Sequence, residues 1–201
     1  MRSALGKELR KQFSKAMARA FPEYTEIKAP SVWPGARMYV HRTPLASFFI
    51  RLVPHHDRDM FRVMFGWSSS GEFPSEALRH STRTDFDRDL LGHDGREFRI
   101  MRVWNEAGGK EDRWWVLEDA MGVAFDRTLQ EFSKPGDTPI QTLERATSEG
   151  LSYMLSGYRE TAVEKLLPKI PVLVEDCLEC IRQTVTPYFD KIRELRSQNA
   201  V

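Results

Sequence analysis

The sequence is poor in the features that assign a chain to several large classes of protein. It has only two cysteines in 201 residues, and both lie in the short stretch Cys177-Leu178-Glu179-Cys180. No apolar run approaches the roughly 18–20 residues that a membrane-spanning helix needs. The first residues, MRSALGKELRKQFSK, lack the apolar core of a secretory signal. These absences argue against a membrane-spanning protein and predict a cytoplasmic location.

The chain also lacks an excess of charge of either sign. The chain has 30 basic and 29 acidic residues and a net charge of +1, so its bulk electrostatics select no class of partner. Hydrophobic residues make up 41% and charged residues 29%, which is typical of a globular protein. We therefore expect one domain over residues 1–201, in which any recognition of charge depends on local patches.

Motifs that identify enzymes are absent too. The sequence has no Gly-x-Ser-x-Gly elbow, no phosphate-binding glycine-rich loop, no dinucleotide fingerprint and no His-Glu-x-x-His pair. Cys177 and Cys180 lie inside a predicted helix with no preceding strand and no further zinc ligands, so two buried structural thiols are favoured over a redox or metal site. A binding protein is therefore favoured over an enzyme, and no cofactor is predicted.

What the sequence does contain begins with an amphipathic helix from Ala4 to Phe21. Its apolar residues recur every four positions, and Ser3 is suited to be its N-cap. The opposite face is basic: Lys7, Arg10, Lys11, Lys15, Arg19. Such a face could contact nucleic acid, an acidic protein or a membrane surface, but it is more often simply solvated. Nucleic acid is therefore not an expected partner.

Three runs rich in aromatic and β-branched residues then predict strands, at Arg37–Arg42, Ser47–Val53 and Met60–Trp67. A short edge strand within Tyr24–Ile27 precedes them. Because side chains alternate between the two faces of a strand, one face of the hairpin formed by the last two runs is predicted to be the core. This face comprises Phe48, Ile50, Leu52, Phe61, Val63 and Phe65.

The other face of this hairpin carries two arginines. A loop centred between His56 and Asp57 would place Arg51 directly opposite Arg62. Like charges in that position destabilise a sheet unless a group of opposite charge lies nearby. Our first hypothesis is that Arg51 and Arg62 bind an anionic ligand or a partner protein, with further arginines nearby: Arg37, Arg99, Arg102, Arg113. The alternative is that acidic residues of the helices pair with both arginines.

A second hypothesis is a metal-dependent hydrolase or nuclease. The long polar stretch between Phe73 and Gly95 contains residues that could hold a divalent ion: His80, Asp87, Asp89, His93, Asp94, with Asp85 among them. The spacing does not match a calcium loop, and aspartates beside arginines in loops more often form caps and surface ion pairs. The cluster from His55 to Asp59 also offers acids and bases, but polar residues are ordinary at a hairpin tip.

The second half of the chain predicts one more hairpin and then helices. Glu97–Asn105 and Asp112–Glu118 flank a Gly-Gly turn, and a helix after Asp119 ends at Lys134-Pro135-Gly136. Thr138-Pro139 then predicts the start of the next helix, with Thr138 as its N-cap and Pro139 at its first helical position. The apolar face of the helices that follow comprises Ile140, Leu143, Leu151, Met154, Leu155 and Tyr158.

The last two helical segments are predicted to begin at Pro171 and Pro187. Thr186 is suited to be the N-cap of the second segment, and its buried face is predicted to comprise Phe189, Ile192 and Leu195. Strands in the first half and helices at both ends predict an α+β fold. We expect one antiparallel sheet of four to six strands, built from hairpins and packed against the N-terminal helix and the C-terminal helices.

The order of an amphipathic helix, a proline-rich connection, the hairpin strands FFIRLV and MFRVMFGW, and a helical second half resembles an uncharacterised bacterial family of α+β domains of unknown function. The resemblance implies an α+β fold and a bacterial, cytoplasmic origin, and it carries neither an activity nor site residues. Together with the absence of catalytic motifs, it predicts a non-catalytic binding or regulatory domain that recognises a partner protein or an anionic ligand.

Overall fold

The computed structural model describes residues 1–28, 36–72, 90–103, 110–158 and 160–199. Strands of the first half are framed by helices at both ends, which is the predicted α+β fold. The elements follow in this order: α1 Ser3–Ala20, β1 Thr25–Ile27, β2 Arg37–Arg42, β3 Ser47–Pro54, β4 Asp59–Ser68, β5 Arg96–Arg99, β6 Met101–Val103, β7 Lys110–Asp112, β8 Trp115–Glu118, α2 Ala120–Phe132, α3 Pro139–Glu149, α4 Leu151–Gly157, α5 Val163–Leu166, α6 Lys169–Cys180 and α7 Thr186–Gln198.

Six strands form one antiparallel sheet in the order β1-β2-β3-β4-β5, with β8 also paired to β4. This confirms the predicted sheet and its edge strand β1. The second predicted hairpin is only partly correct, because pairing within it is limited to the short ribbon of β6 and β7. The flanking strands β5 and β8 instead pair separately with the two ends of β4.

The register of the central hairpin differs from the predicted one. Arg51 lies opposite Met64, and Arg62 lies opposite Val53, so the two arginines are not a direct cross-strand pair. The physical reason lies in the loop: the imidazole Nδ1 of His55 accepts hydrogen bonds from the backbone N–H groups of residues 57 and 58, at 3.1 Å each. This turn centres the loop one residue later than predicted, which shifts every pairing by two residues.

A shift of two residues leaves each side chain on its predicted face, because the strand repeat is also two. The predicted core face is therefore confirmed, with all six of its side chains at most 1% exposed: Phe48, Ile50, Leu52, Phe61, Val63, Phe65. Helices α1, α6 and α7 cover it, and α1 contributes Leu5, Leu9, Phe13 and Met17 to the same cluster. Burial of each such side chain contributes roughly 1.5–3 kcal/mol to folding.

The last two helical segments are one nearly continuous helix. Residues Ile181–Val185 form a π-helical turn between α6 and α7. Pro187 follows this turn, and its missing N–H and its ring cannot fit a regular α-helical turn. The predicted cap at Thr186 is wrong, because this residue is itself helical with φ −60° and ψ −50°. The inward positions of Phe189 and Ile192 are confirmed.

Two other predicted caps have opposite outcomes. Thr138 caps α3 as predicted, with Gln141 completing a reciprocal capping box and Pro139 in the first turn. Ser3 is not the cap of α1, because Arg2 occupies that position and makes no side-chain capping bond. Arg2 instead contacts the sheet, where its Nε donates a hydrogen bond to the Asp59 carboxylate at 2.6 Å.

Candidate functional site

Arg51 forms a buried ion pair across the sheet. Its guanidinium donates two hydrogen bonds to the carboxylate of Glu97 on β5, the one from Nε at 2.6 Å, and the two side chains are 7% and 3% exposed. Gly66 of β4 lies between the two strands, and a Cβ there would lie 2.3 Å from the carbonyl oxygen of Arg96. Burial raises the pKa of Glu97 above its usual value, while the hydrogen bonds from Arg51 oppose this rise.

Arg62 and Arg99 share a second carboxylate, that of Asp112 on β7. The distances from their Nη1 atoms to Asp112 Oδ2 are 2.7 and 2.8 Å. The guanidinium of Arg62 also lies 4.8 Å from the centre of the Trp114 ring. Burial lowers the pKa of Arg62, and the neighbouring Arg99 adds to this effect, but an arginine so placed keeps its charge at neutral pH.

Each of the two arginines that the sequence singles out therefore already contacts a carboxylate of the protein. The carboxylates come from strands β5 and β7 and not from helices, which corrects the alternative that helical acids cover the arginines. A bidentate carboxylate occupies the donors of Arg51 that an anion would need. The assignment of Arg51 and Arg62 as ligand-binding residues stays a prediction, and the described contacts do not favour it.

The predicted metal ligands lie mostly outside the described residues. His80, Asp87 and Asp89 belong to this group, as does the side chain of His93. Asp94 is described, and its carboxylate accepts hydrogen bonds from the backbone N–H and the hydroxyl of Ser69. Within the part of the chain that the structure describes, no group of three acidic, histidine or cysteine side chains is arranged to hold a metal ion. The metal hypothesis stays a prediction.

The other sequence candidates have structural contacts. In the hairpin loop His55 holds the turn, and its pKa is lowered by partial burial. Asp59 accepts hydrogen bonds from the backbone and the side chain of Arg2. The thiols of Cys177 and Cys180 are buried, as predicted, and burial raises the pKa of both.

Helices α2, α3 and α4 form a distinct unit, which we call the helical arm (residues 120–157). Its helices pack mainly on one another. The chain enters the arm after Glu118 and leaves it near Thr161, and these two residues meet, because the backbone N–H of Thr161 donates to the Glu118 carboxylate at 2.9 Å. Arg2 fixes the same point by donating to Glu118 and to the Thr161 carbonyl oxygen. The arm is thus a segment of the chain whose two ends are held together.

The side chains that the arm buries are small. The helices approach each other at Ala124, Thr128, Ala146 and Gly150. A Cβ on Gly150 would lie 2.4 Å from the Thr128 Cγ2 atom, so the junction of α3 and α4 can approach α2 this closely only with glycine. Because these contacts are made by small residues, the arm covers only part of its large apolar surface.

Several large apolar side chains of the arm are exposed, whereas Phe125, Leu129, Phe132 and Met154 are half-buried. Ile140 is 67% exposed, Val123 60%, and Leu151 and Leu155 are 55% each. Met121, Leu143 and Tyr153 belong to the same set. Neighbours on a helix surface are three or four residues apart, so Ile140 and Leu143 form one patch and Leu151 and Leu155 another. Scattered exposed apolar residues are ordinary, whereas clusters of them mark binding surfaces.

The sequence predicted these helices and their apolar residues but not this exposure. Of the predicted apolar face, Ile140, Leu143, Leu151 and Leu155 are exposed. The available signal was the row of small residues at helix spacing, which marks the positions where the helices of the arm meet.

Comparisons with known proteins assign no family to the chain. No family model matches it, and no significant match was found among curated proteins or solved structures. Among the described residues, no helix is both long enough and apolar enough to cross a membrane.

Proposed function

We propose that this chain is a non-catalytic binding domain that recognises a partner protein through the apolar surface of its helical arm. One observation carries the proposal: the residues that the arm fully buries are small, and several of its large apolar side chains are exposed, with Ile140 at 67% and Val123 at 60%. Each large apolar side chain that a partner covers would contribute roughly 1.5–3 kcal/mol. A bacterial, cytoplasmic setting remains part of the proposal, and its bacterial part rests on the sequence resemblance alone.

The contacts within the main sheet support a structural role for the sheet and leave the binding role to the arm. Arg51 and Arg62 are engaged within the protein, through their contacts with Glu97 and Asp112. These contacts would let the sheet and its helices act as a rigid base. The arm, held at Glu118 and Thr161, presents the binding surface.

Site-specific photo-crosslinking tests the proposal. A photoreactive amino acid at position 140 is expected to trap a partner protein in the cells that produce this chain. The matched control has the same amino acid at Val172 on α6, which is 69% exposed but lies outside the arm and has only acidic side chains one turn ahead, Glu175 and Asp176. A discrete adduct formed from position 140 and not from position 172 supports the proposal. No adduct, or the same adducts from both positions, contradicts it.

A further inference from the structure

The arm carries a charge pattern in addition to its apolar surface. It contains five acidic residues, Asp126, Glu131, Asp137, Glu144 and Glu149, and three basic residues, Arg127, Lys134 and Arg145, which gives a net charge of −2. One pair is internal, because Arg145 Nη2 donates to Asp137 Oδ1 at 3.0 Å. Asp126, Glu131 and Glu144 are exposed, and no described basic side chain forms an ion pair with any of them.

The exposed acids lie next to the exposed apolar side chains. Asp126 follows Val123 by three residues on α2, and Glu144 follows Ile140 by four residues on α3. Residues at these spacings are neighbours on the surface of a helix. A partner that covers Ile140 therefore meets the Glu144 carboxylate at the edge of the contact, and one that covers Val123 meets both Asp126 and Arg127, which follows Val123 by four residues.

The base of the arm extends this negative surface. A cleft at the base of the arm is lined by Met121 of the arm together with acidic residues outside it: Asp57, Asp59, Glu118, Asp119, Glu160. The basic groups near these carboxylates are Arg2, Arg58, His56 and the N-terminal amine of Met1. Acidic residues therefore outnumber basic ones both at the base of the arm and on its helices.

From this pattern we infer that the partner contributes a basic amphipathic segment, in which large apolar side chains are flanked by lysine or arginine. This inference rests on the proposed function and names the chemistry of its partner. An amphipathic helix laid on an apolar helical surface is a recurrent mode of recognition, and flanking charges of opposite sign select among such helices.

The same observations disfavour the other occupants. A second arm would bring acidic residues against acidic residues, and like charges across an interface are unfavourable. The basic face of α1 has the right charge, at Lys7 and Lys15, but its exposed apolar residues are only alanines, Ala4 and Ala18. An anionic membrane surface would repel the acids of the arm.

Two matched model peptides test the inference. The first is a fluorescent helical peptide of leucine and lysine in the 3.6-residue pattern, and the second replaces every lysine with glutamate. Fluorescence anisotropy with the full chain is expected to show the lysine peptide binding at least about tenfold more tightly, since a few surface ion pairs contribute about that much. The difference is expected to shrink at high salt.

Three variants locate the binding. Ile140→Glu is expected to weaken binding of the lysine peptide by adding a carboxylate where an apolar contact is needed. The double variant Asp126→Asn with Glu144→Gln is expected to bring the two peptides closer in affinity. The control Val172→Glu is expected to leave both affinities unchanged. All of these side chains are exposed, and circular dichroism checks that each variant stays folded.

The outcomes separate this inference from the proposed function. If both peptides bind equally and Ile140→Glu weakens both, the arm binds apolar segments without regard to charge, and only the basic partner is overturned. If neither peptide binds, or Ile140→Glu changes nothing, the inference fails, and the crosslinks from position 140 decide the proposed function on their own. Sedimentation with anionic vesicles, or a dimer that Ile140→Glu dissociates, would likewise overturn the basic partner.

Discussion

Replacing Arg51 by methionine removes one member of the buried ion pair and keeps much of its volume. Arg51 and Glu97 are 7% and 3% exposed, so the variant leaves a carboxylate in a site with little access to water. Loss of one partner of a buried pair costs about 3–5 kcal/mol. Arg62 and Arg99 also attract Glu97, so we expect the lower end of this range, about 3 kcal/mol, at neutral pH.

The cost is expected to depend on pH in a defined direction. Burial already raises the pKa of Glu97, and loss of the Arg51 hydrogen bonds raises it further. An acid whose pKa is higher in the folded state than in the unfolded state stabilises the fold when protonated, and this stability is lost as pH rises through the folded-state pKa. The destabilisation of Arg51→Met should therefore shrink as pH falls from neutral toward the ordinary carboxylate pKa.

Urea denaturation at several pH values measures the effect. Two controls accompany it. Arg37→Met removes the exposed partner of Glu26, with side chains 45% and 32% exposed, and should cost less than about 1 kcal/mol. The double variant Arg51→Met with Glu97→Met should recover most of the stability, because apolar replacements of a buried pair are often neutral. A cost for Arg51→Met that is small, or independent of pH, would refute this reasoning.

Three further predictions concern the arm and the thiols. Gly150→Ala should force α2 away from the junction of α3 and α4, at a cost of about 1–3 kcal/mol, and should speed hydrogen exchange in the arm but not in β3, with Ser152→Ala as control. Arg145 lowers the pKa of Asp137, so this pair should stabilise the arm above the ordinary aspartate pKa and cease to do so as pH falls through the lowered value, which hydrogen exchange of wild type and Asp137→Asn would show. Cys177 should resist a thiol reagent until urea unfolds the protein, and rapid labelling of the native protein would contradict its burial.

The faces of the central strands were predictable from the sequence, whereas the pairing between strands was not. Alternation fixes which side chains share a face, and a slip of two residues preserves that assignment. The register depended on a side-chain contact inside the loop, between His55 and the backbone of residues 57 and 58. No alternation pattern encodes such a contact.

The carboxylates that pair with the two arginines could not be predicted from the neighbouring sequence either. Glu97 is 46 residues from Arg51, and Asp112 is 50 residues from Arg62. The need for a counter-charge could be inferred from the strand pattern, but its source depended on how β5 and β7 are placed. In the arm, periodicity identified an apolar face without showing whether the protein covers it. Coverage is a property of tertiary packing.

The near-neutral net charge of the chain conceals an uneven distribution. In the sheet, Arg51, Arg62 and Arg99 lie against Glu97 and Asp112, where a carboxylate left without its arginine would be costly. On the arm, Asp126 and Glu144 remain exposed beside Val123 and Ile140, where solvent lowers the cost of a charge. Charges that stabilise the fold are therefore found in contact with one another, and on the arm exposed charges lie beside large exposed apolar side chains. Because the exposed apolar side chains lie on that same arm, a single surface supplies both binding energy and selectivity.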